Sequence, residues 1–248
     1  MKAFLTLALL AHKIPHENFT MSTPYQNQPI FISWSSGKDS AYLLHCTKKM
    51  GTDCEIRLFT TVIENQQLVA MHRTRKELVE AQTKVLNLPI DFIGLPWPCP
   101  NTIYEDRLSG YFARFRAKNY PKVLYGDLHL EDIRSYRQKQ MDFIKVPCAF
   151  PIWSSPEQSG ETARKIIDSG IRSVVVCIDK AKLDPSFLGR VYDEKFLADL
   201  PEGTDPCGEY GEFHPFCFQS PDFELEIPYK TGQTSEDEYF SYIDLELP

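Results

Sequence analysis

Between residues 29 and 125 short β-branched or apolar runs alternate four times with amphipathic helical stretches, and that alternation restricts the chain to an α/β fold. Residues 29–34 read as a short buried strand, and 38–50 as a helix carrying Ala41 and Leu44, closed by Gly51 as a left-handed stop. A second strand is expected at 55–63. Thr74, Arg75, Lys76 and Glu77 then have capping-box spacing, which opens a helix with Leu78, Ala81, Val85 and Leu88 inward. A third strand follows at 90–95. The next helix, at 104–118, places Leu108, Tyr111, Phe112 and Phe115 on one stripe, and a fourth strand at 122–125 ends on Gly126-Asp127. Repeats of this kind predict a doubly wound parallel sheet.

After Asp127 the pattern changes. A charged helix at 130–142, Pro-punctuated loops near 147–156, a helix at 159–168 stopped by Gly170, and β-type runs at 173–178, 212–218 and 223–229 predict a smaller mixed α+β lobe. The expected division is an N-terminal extension at 1–28, a nucleotide-binding domain at 29–128, a substrate-binding lobe at 129–230 and an acidic, partly mobile tail at 231–248. Lys2 followed by the apolar stretch 3–11 has the form of a short export signal, but Met21 and its polar lead-in favour an over-long start.

The net charge is -7, so the overall field repels a polyanion, and no basic stripe marks a nucleic-acid partner. Seven cysteines, at 46, 54, 99, 148, 177, 207 and 217, include no Cys-x-x-Cys pair and fit reduced thiols in the cytoplasm. No stretch approaches the roughly 20 apolar residues that cross a bilayer, so no membrane partner is expected.

The loop Ser35-Ser36-Gly37-Lys38-Asp39-Ser40 lies where a strand gives way to a helix, a junction whose backbone N–H groups close on phosphate oxygens. It is not a Walker loop: Asp39, not Ser or Thr, follows Lys38, and the upstream glycine is missing. A carboxylate beside a triphosphate repels it unless a cation bridges the two, so Asp39 predicts pyrophosphate bound with Mg²⁺. Without a ligand the same residues would make an ordinary N-capped helix.

This loop resembles the Ser-Gly-Gly-x-Asp-Ser signature of the PP-loop ATP pyrophosphatases, with Ser36 at the second position adding a side chain close to the phosphates. Four further segments are similar to the diphthine–ammonia ligase group: Gly126-Asp127 with Glu131-Asp132-Ile133-Arg134, Pro151-Ile152-Trp153, Leu188-Gly189-Arg190, and Cys207-Gly208-Glu209-Tyr210-Gly211-Glu212-Phe213-His214. The resemblance runs over residues 29–223. It implies an adenine nucleotide alpha hydrolase-like fold, adenylation of a carboxylate by ATP, release of pyrophosphate, and attack of ammonia on the acyl-adenylate.

On that reading Ser35, Ser36, Gly37, Lys38, Asp39, Ser40, Gly126 and Asp127 bind the nucleotide, and Asp39 also holds the metal. Asp39, Glu209 and Glu212 are the catalytic candidates; Glu131, Arg134, Trp153, Gly208 and Gly211 are the substrate-binding ones. Glu209 and Glu212 bracket a glycine turn, so both carboxylates are expected to face one cavity, unless they are merely solvated acids. Asp127, at a strand's carboxyl end, either meets a ligand or caps the next helix. Arg134 pairs with an anionic substrate group or with Glu131. Trp153 and His214 have packing roles as their bland alternatives, and Cys99 invites a sulfur-transfer reading that the acidic charge opposes. The alternatives to an amide ligase are a non-catalytic nucleotide-binding module and a ligase for a different carboxylate. The acceptor, on a protein or a metabolite, is left open, and a homo-oligomer is admitted.

Overall fold

The computed structural model describes residues 29–51, 53–70, 73–115 and 122–248. The expected N-terminal extension, with Met21, and the end of the helix expected to reach Lys118 lie outside the described residues. Among the described residues no helix is long and apolar enough to cross a membrane.

The first half alternates β1 (Ile30–Ser33), α1 (Lys38–Lys49), β2 (Ile56–Ile63), β3 (Leu68–Val69), α2 (Lys76–Leu86), β4 (Ile90–Leu95), α3 (Asn101–Ala113), β5 (Lys122–Leu124), α4 (Glu131–Ile144) and β6 (Cys148–Ala149). Strands β4, β2, β1, β5 and β6 lie side by side in that order, all parallel, and the two-residue β3 runs antiparallel along the end of β2. The side-chain period of a strand explains why helices cover both faces. Ile30 and Ile32 of β1 point into a core shared with Ala41, Leu43 and Leu44 of α1 and Val79 of α2. Phe31, between them, points the other way, into a cluster with Leu108, Tyr111 and Phe112 of α3 and Met141 of α4. The doubly wound parallel sheet is therefore present.

From β1 the chain steps outward to β2 and β4, then returns across β1 to β5 and steps outward the other way to β6. The order reverses between β1 and β5, and the crevice at their carboxyl ends is where such sheets place ligands. The loop after β1 and Gly126-Asp127 after β5 both open into it.

The second half holds α5 (Ser159–Asp168), β7 (Arg172–Asp179), α6 (Glu194–Asp199), β8 (Phe213–Gln219), β9 (Lys230–Glu236) and β10 (Phe240–Glu246). Its strands form a separate antiparallel sheet, ordered β8–β7–β10–β9. That sheet docks on the first half by its β8 edge, where Phe216 forms a bridge with Gly37 of the loop.

Three expectations fail here for physical reasons. Residues 223–229 form no strand: Pro221 just ahead of the segment and Pro228 within it remove backbone donors. The acidic tail expected to be partly mobile instead supplies the β9–β10 hairpin of the second sheet. The capping box is not made, because α2 starts at Lys76 without a side-chain cap while the Thr74 hydroxyl accepts a hydrogen bond from Ser36 Oγ at 3.4 Å. In addition α4 and β6, placed by sequence beyond the boundary at 128, pack with the first sheet.

Candidate active site

The loop is gripped from two sides. Ser36 holds a left-handed backbone, φ 66°, a conformation that favours glycine. Its buried hydroxyl donates to Thr74 Oγ1, in the segment just before α2. Its carbonyl accepts from Cys217 N of β8 at 2.9 Å and from Gln82 Nε2 at 3.0 Å. Gln82, fully buried, also bonds the Cys217 carbonyl at 2.7 Å and accepts from Trp34 Nε1 at 2.8 Å. One amide thus ties the loop, α2 and β8 together. Nothing in the local sequence singles out Gln82 beyond being a polar residue on the buried stripe of α2.

Two glycines allow close approach. A Cβ on Gly37 would lie 2.6 Å from His214 Cε1 and 2.9 Å from the Pro215 carbonyl, and one on Gly126 would meet the Asp39 carbonyl at 3.3 Å. His214 therefore packs over the loop. Gly37 is the N-cap of α1 and offers no side-chain acceptor, so α1 begins without a side-chain cap at the carboxyl edge of the sheet. There Ser35 Oγ donates to Ser40 Oγ at 3.2 Å, and Ser40 Oγ donates to the Gly37 carbonyl at 3.0 Å.

Lys38, expected at the phosphates, is buried under the second half of the chain. Its Nζ donates to both Asp39 oxygens, at 2.9 and 2.8 Å, and to the Cys207 carbonyl at 2.6 Å, with the Tyr192 and Phe213 rings 5.4 and 5.8 Å away. Burial opposes its charge most strongly, but the Asp39 carboxylate together with the Cys207 and Glu209 groups holds the Lys38 pKa above its ordinary value. Burial also pushes Asp39 upward, against the pull of Lys38.

Glu209 completes the cluster. Its Oε2 accepts the Leu128 N–H at 3.1 Å, next to the end of β5, and burial together with the Asp39 charge pushes its pKa up to about 8. Two carboxylates confined beside one lysine make an arrangement that a hard cation relieves. Among the described residues no three or more His, Cys, Asp or Glu side chains converge as a ready-made metal cage.

The turn that carries Glu209 is braced by Asp205, a residue the sequence reading missed. Its carboxylate accepts from Ser159 Oγ, from the Glu209 N–H at 2.8 Å and from the Cys207 N–H at 3.4 Å, and His129 Nε2 lies 3.5 Å away. An Asp-Pro step ahead of a glycine turn is the available signal, since Asp accepts from backbone N–H groups that follow it. Glu212 does not share the Glu209 cavity. It is buried, and its Oε1 accepts the Asp205 N–H at 3.4 Å, because left-handed Gly211, φ 82°, reverses the chain between the two acids.

The remaining candidates stand apart from this cluster. Asp127 pairs with Arg137 Nε at 2.7 Å on α4. Arg134 lies over the Trp153 and Phe150 rings, 4.6 and 5.6 Å from their centroids, and 3.9 Å from Glu131, whose side chain is exposed. Glu131, Arg134 and Trp153 thus form a group along α4 and the loop after β6. Cys99 follows β4, and all seven cysteines are free thiols.

Glu209 makes the site's electrostatics measurable. Its folded pKa of about 8 exceeds the ordinary 4.5, so the stability it contributes is fully present below about pH 4.5 and is lost as pH rises through 8. Glu209→Gln cannot ionise and escapes that loss. The variant is expected to gain stability over the wild type between pH 5 and pH 8 in urea unfolding; the same difference at both pH values would refute the shift.

Residues 158–246 match the family model described as the diphthamide synthase C-terminal domain. That segment supplies Ser159, Asp205, Glu209 and Glu212, while the loop after β1 lies outside it. Among solved structures the chain is similar to the U34-tRNA thiolase NcsA from Methanococcus maripaludis with its 4Fe-4S cluster, at 14% identity and TM-score 0.38, over 58% of this chain and 57% of that one. It is also similar to a predicted subunit of tRNA methyltransferase from Methanocaldococcus jannaschii, at 14% identity and TM-score 0.40, over 81% of this chain and 100% of that one. Both likenesses are too distant to bear on chemistry. A search of curated proteins finds no match to the chain.

Proposed function

Starting from a chain whose residues 158–246 carry the diphthamide synthase C-terminal domain, we propose that it is an ATP-dependent amide ligase, which adenylates a carboxylate, releases pyrophosphate and transfers ammonia to the acyl-adenylate. The observation that carries this reading is the meeting, at the switch point of the sheet, of an uncapped helix N-terminus with Asp39 and with Glu209 of the matched domain. In this mechanism the first-turn N–H groups of α1 and the Ser35 and Ser40 hydroxyls bind the β- and γ-phosphates. Asp39 would hold Mg²⁺, which would supply positive charge against the departing pyrophosphate. Gly126 leaves room for the nucleotide chain to pass the start of α1, and Glu209, held by the Leu128 N–H, accepts a proton from the attacking amine. The acceptor is a carboxylate on a protein or a metabolite, the co-substrates are ATP and ammonia, and the compartment is the cytoplasm.

A second reading, a nucleotide-binding module without catalysis, draws on the fact that Lys38 Nζ already engages both Asp39 oxygens. Incubation of the protein with ATP, Mg²⁺, ammonium and a panel of carboxylates from a cell extract separates the two. AMP and pyrophosphate that form only when acceptor and ammonium are both present support the ligase. Nucleotide binding with no product across the panel supports the module.

A further inference from the structure

The antiparallel sheet treats its two edges differently. β8 is covered: Phe216 bridges Gly37, the Cys217 N–H bonds the Ser36 carbonyl at 2.9 Å, and Pro215 removes one donor from the strand. β9 pairs with β10 on one side and with no described strand on the other, and six of its seven residues are exposed. An uncovered row of N–H and C=O groups is a template for another strand.

The sequence of β9 specifies which strand fits. Lys230, Thr231, Gly232, Gln233, Thr234, Ser235 and Glu236 are self-complementary when two copies run antiparallel about an axis at Gln233. Lys230 of each copy then stands opposite Glu236 of the other, Thr231 opposite Ser235, and Gly232 opposite Thr234. Directly opposed unlike charges and hydroxyl pairs are the favourable cross-strand contacts of an antiparallel ladder. We propose that β9 pairs with β9 of a second copy of this chain, joining two four-stranded sheets into one across a two-fold axis. The ends of the strand are free to do so. Lys230 makes no ion pair among the described residues, and Glu236 makes only a 3.6 Å contact with Lys180 from a side chain 69% exposed. A two-residue slip separates both charge pairs, so the charges also fix the register. The contact is isologous and closes at two copies, because pairing consumes the one edge of the sheet left uncovered among the described residues.

Sedimentation of the full chain over a range of concentrations tests this by charge reversal. The wild type should dimerise as concentration rises. Lys230→Glu and Glu236→Lys each place like charges opposite one another twice and should weaken the dimer by about tenfold or more. A mixture of the two single variants restores both unlike pairs and should form a mixed dimer, as should the double variant with itself. All these side chains are exposed, so folding is unaffected, and circular dichroism checks it. A wild type that stays monomeric, single variants that dimerise as tightly as the wild type, or a mixture that fails to pair would each overturn the proposal.

Discussion

Asp39→Asn is expected to lower pyrophosphate release by about 10² to 10³, the usual cost of removing one preorganised electrostatic group from a charged transition state. The carboxylate stands in the first turn of α1, beside the uncapped N–H groups, and faces Glu209. The amide that replaces it keeps the size but is a poor ligand for a hard cation, so Mg²⁺ would lose its protein carboxylate. Binding of ATP without magnesium should survive or improve, because the repulsion between carboxylate and phosphate is gone. The signature is therefore a split: calorimetry shows nucleotide binding that no longer strengthens with magnesium, while product formation collapses. A stability cost accompanies it, since Lys38 would keep its buried charge with only neutral acceptors, the new amide oxygen and the Cys207 carbonyl, as direct partners. Loss of the Asp39 charge also relieves Glu209, which can then ionise and supply the compensating charge. Turnover at the wild-type rate in Asp39→Asn would remove this carboxylate from the mechanism.

What could be read from the sequence follows from the range over which each signal acts. The strand and helix alternation through the first half is local: Ile30, Phe31 and Ile32 already tell which faces are covered, and the structure places them in two opposite cores. The start of α1 and the end of β5 were readable for the same reason. Gln82 and Asp205 were not, because their partners lie far along the chain, 135 residues away for the Cys217 carbonyl and 46 for Ser159. Glu209 and Glu212 were placed in one cavity because they are three apart in sequence. One glycine with positive φ, Gly211, separates them, a backbone reversal that the pattern of acids does not encode. β9 carries no apolar alternation at all, and its strand comes from pairing with β10, whose Ile243 and Leu245 pack into the core with Val174 and Phe216.

The same geometry makes Gly37→Ala the most informative conservative change in the chain. Gly37 has φ -92° and ψ -180°, an extended backbone that alanine adopts freely, so no conformational penalty applies. The obstacle is space: the new methyl would stand 2.6 Å from His214 Cε1 and 2.9 Å from the Pro215 carbonyl. The imidazole can swing aside, but the carbonyl belongs to β8, whose Pro215 is held in register with Val175 of β7. The loop must move instead, breaking the bridge to Phe216 and stretching the bond from Cys217 N to the Ser36 carbonyl. Overpacking of this kind costs about 1–3 kcal/mol. For a chain of this size that amounts to a fall of roughly 2–4 °C in Tm for each kcal/mol. Gly110→Ala serves as the control: it lies in α3 with nothing within 4 Å of the added Cβ, so the better helix former should raise stability by up to about 1 kcal/mol. Thermal unfolding of the two variants should therefore shift in opposite directions. ATP binding should weaken only in Gly37→Ala, because displacement of the loop turns the first-turn N–H groups of α1 away from the phosphates. A Gly37→Ala protein with unchanged Tm and unchanged nucleotide affinity would mean that the loop does not lie against β8.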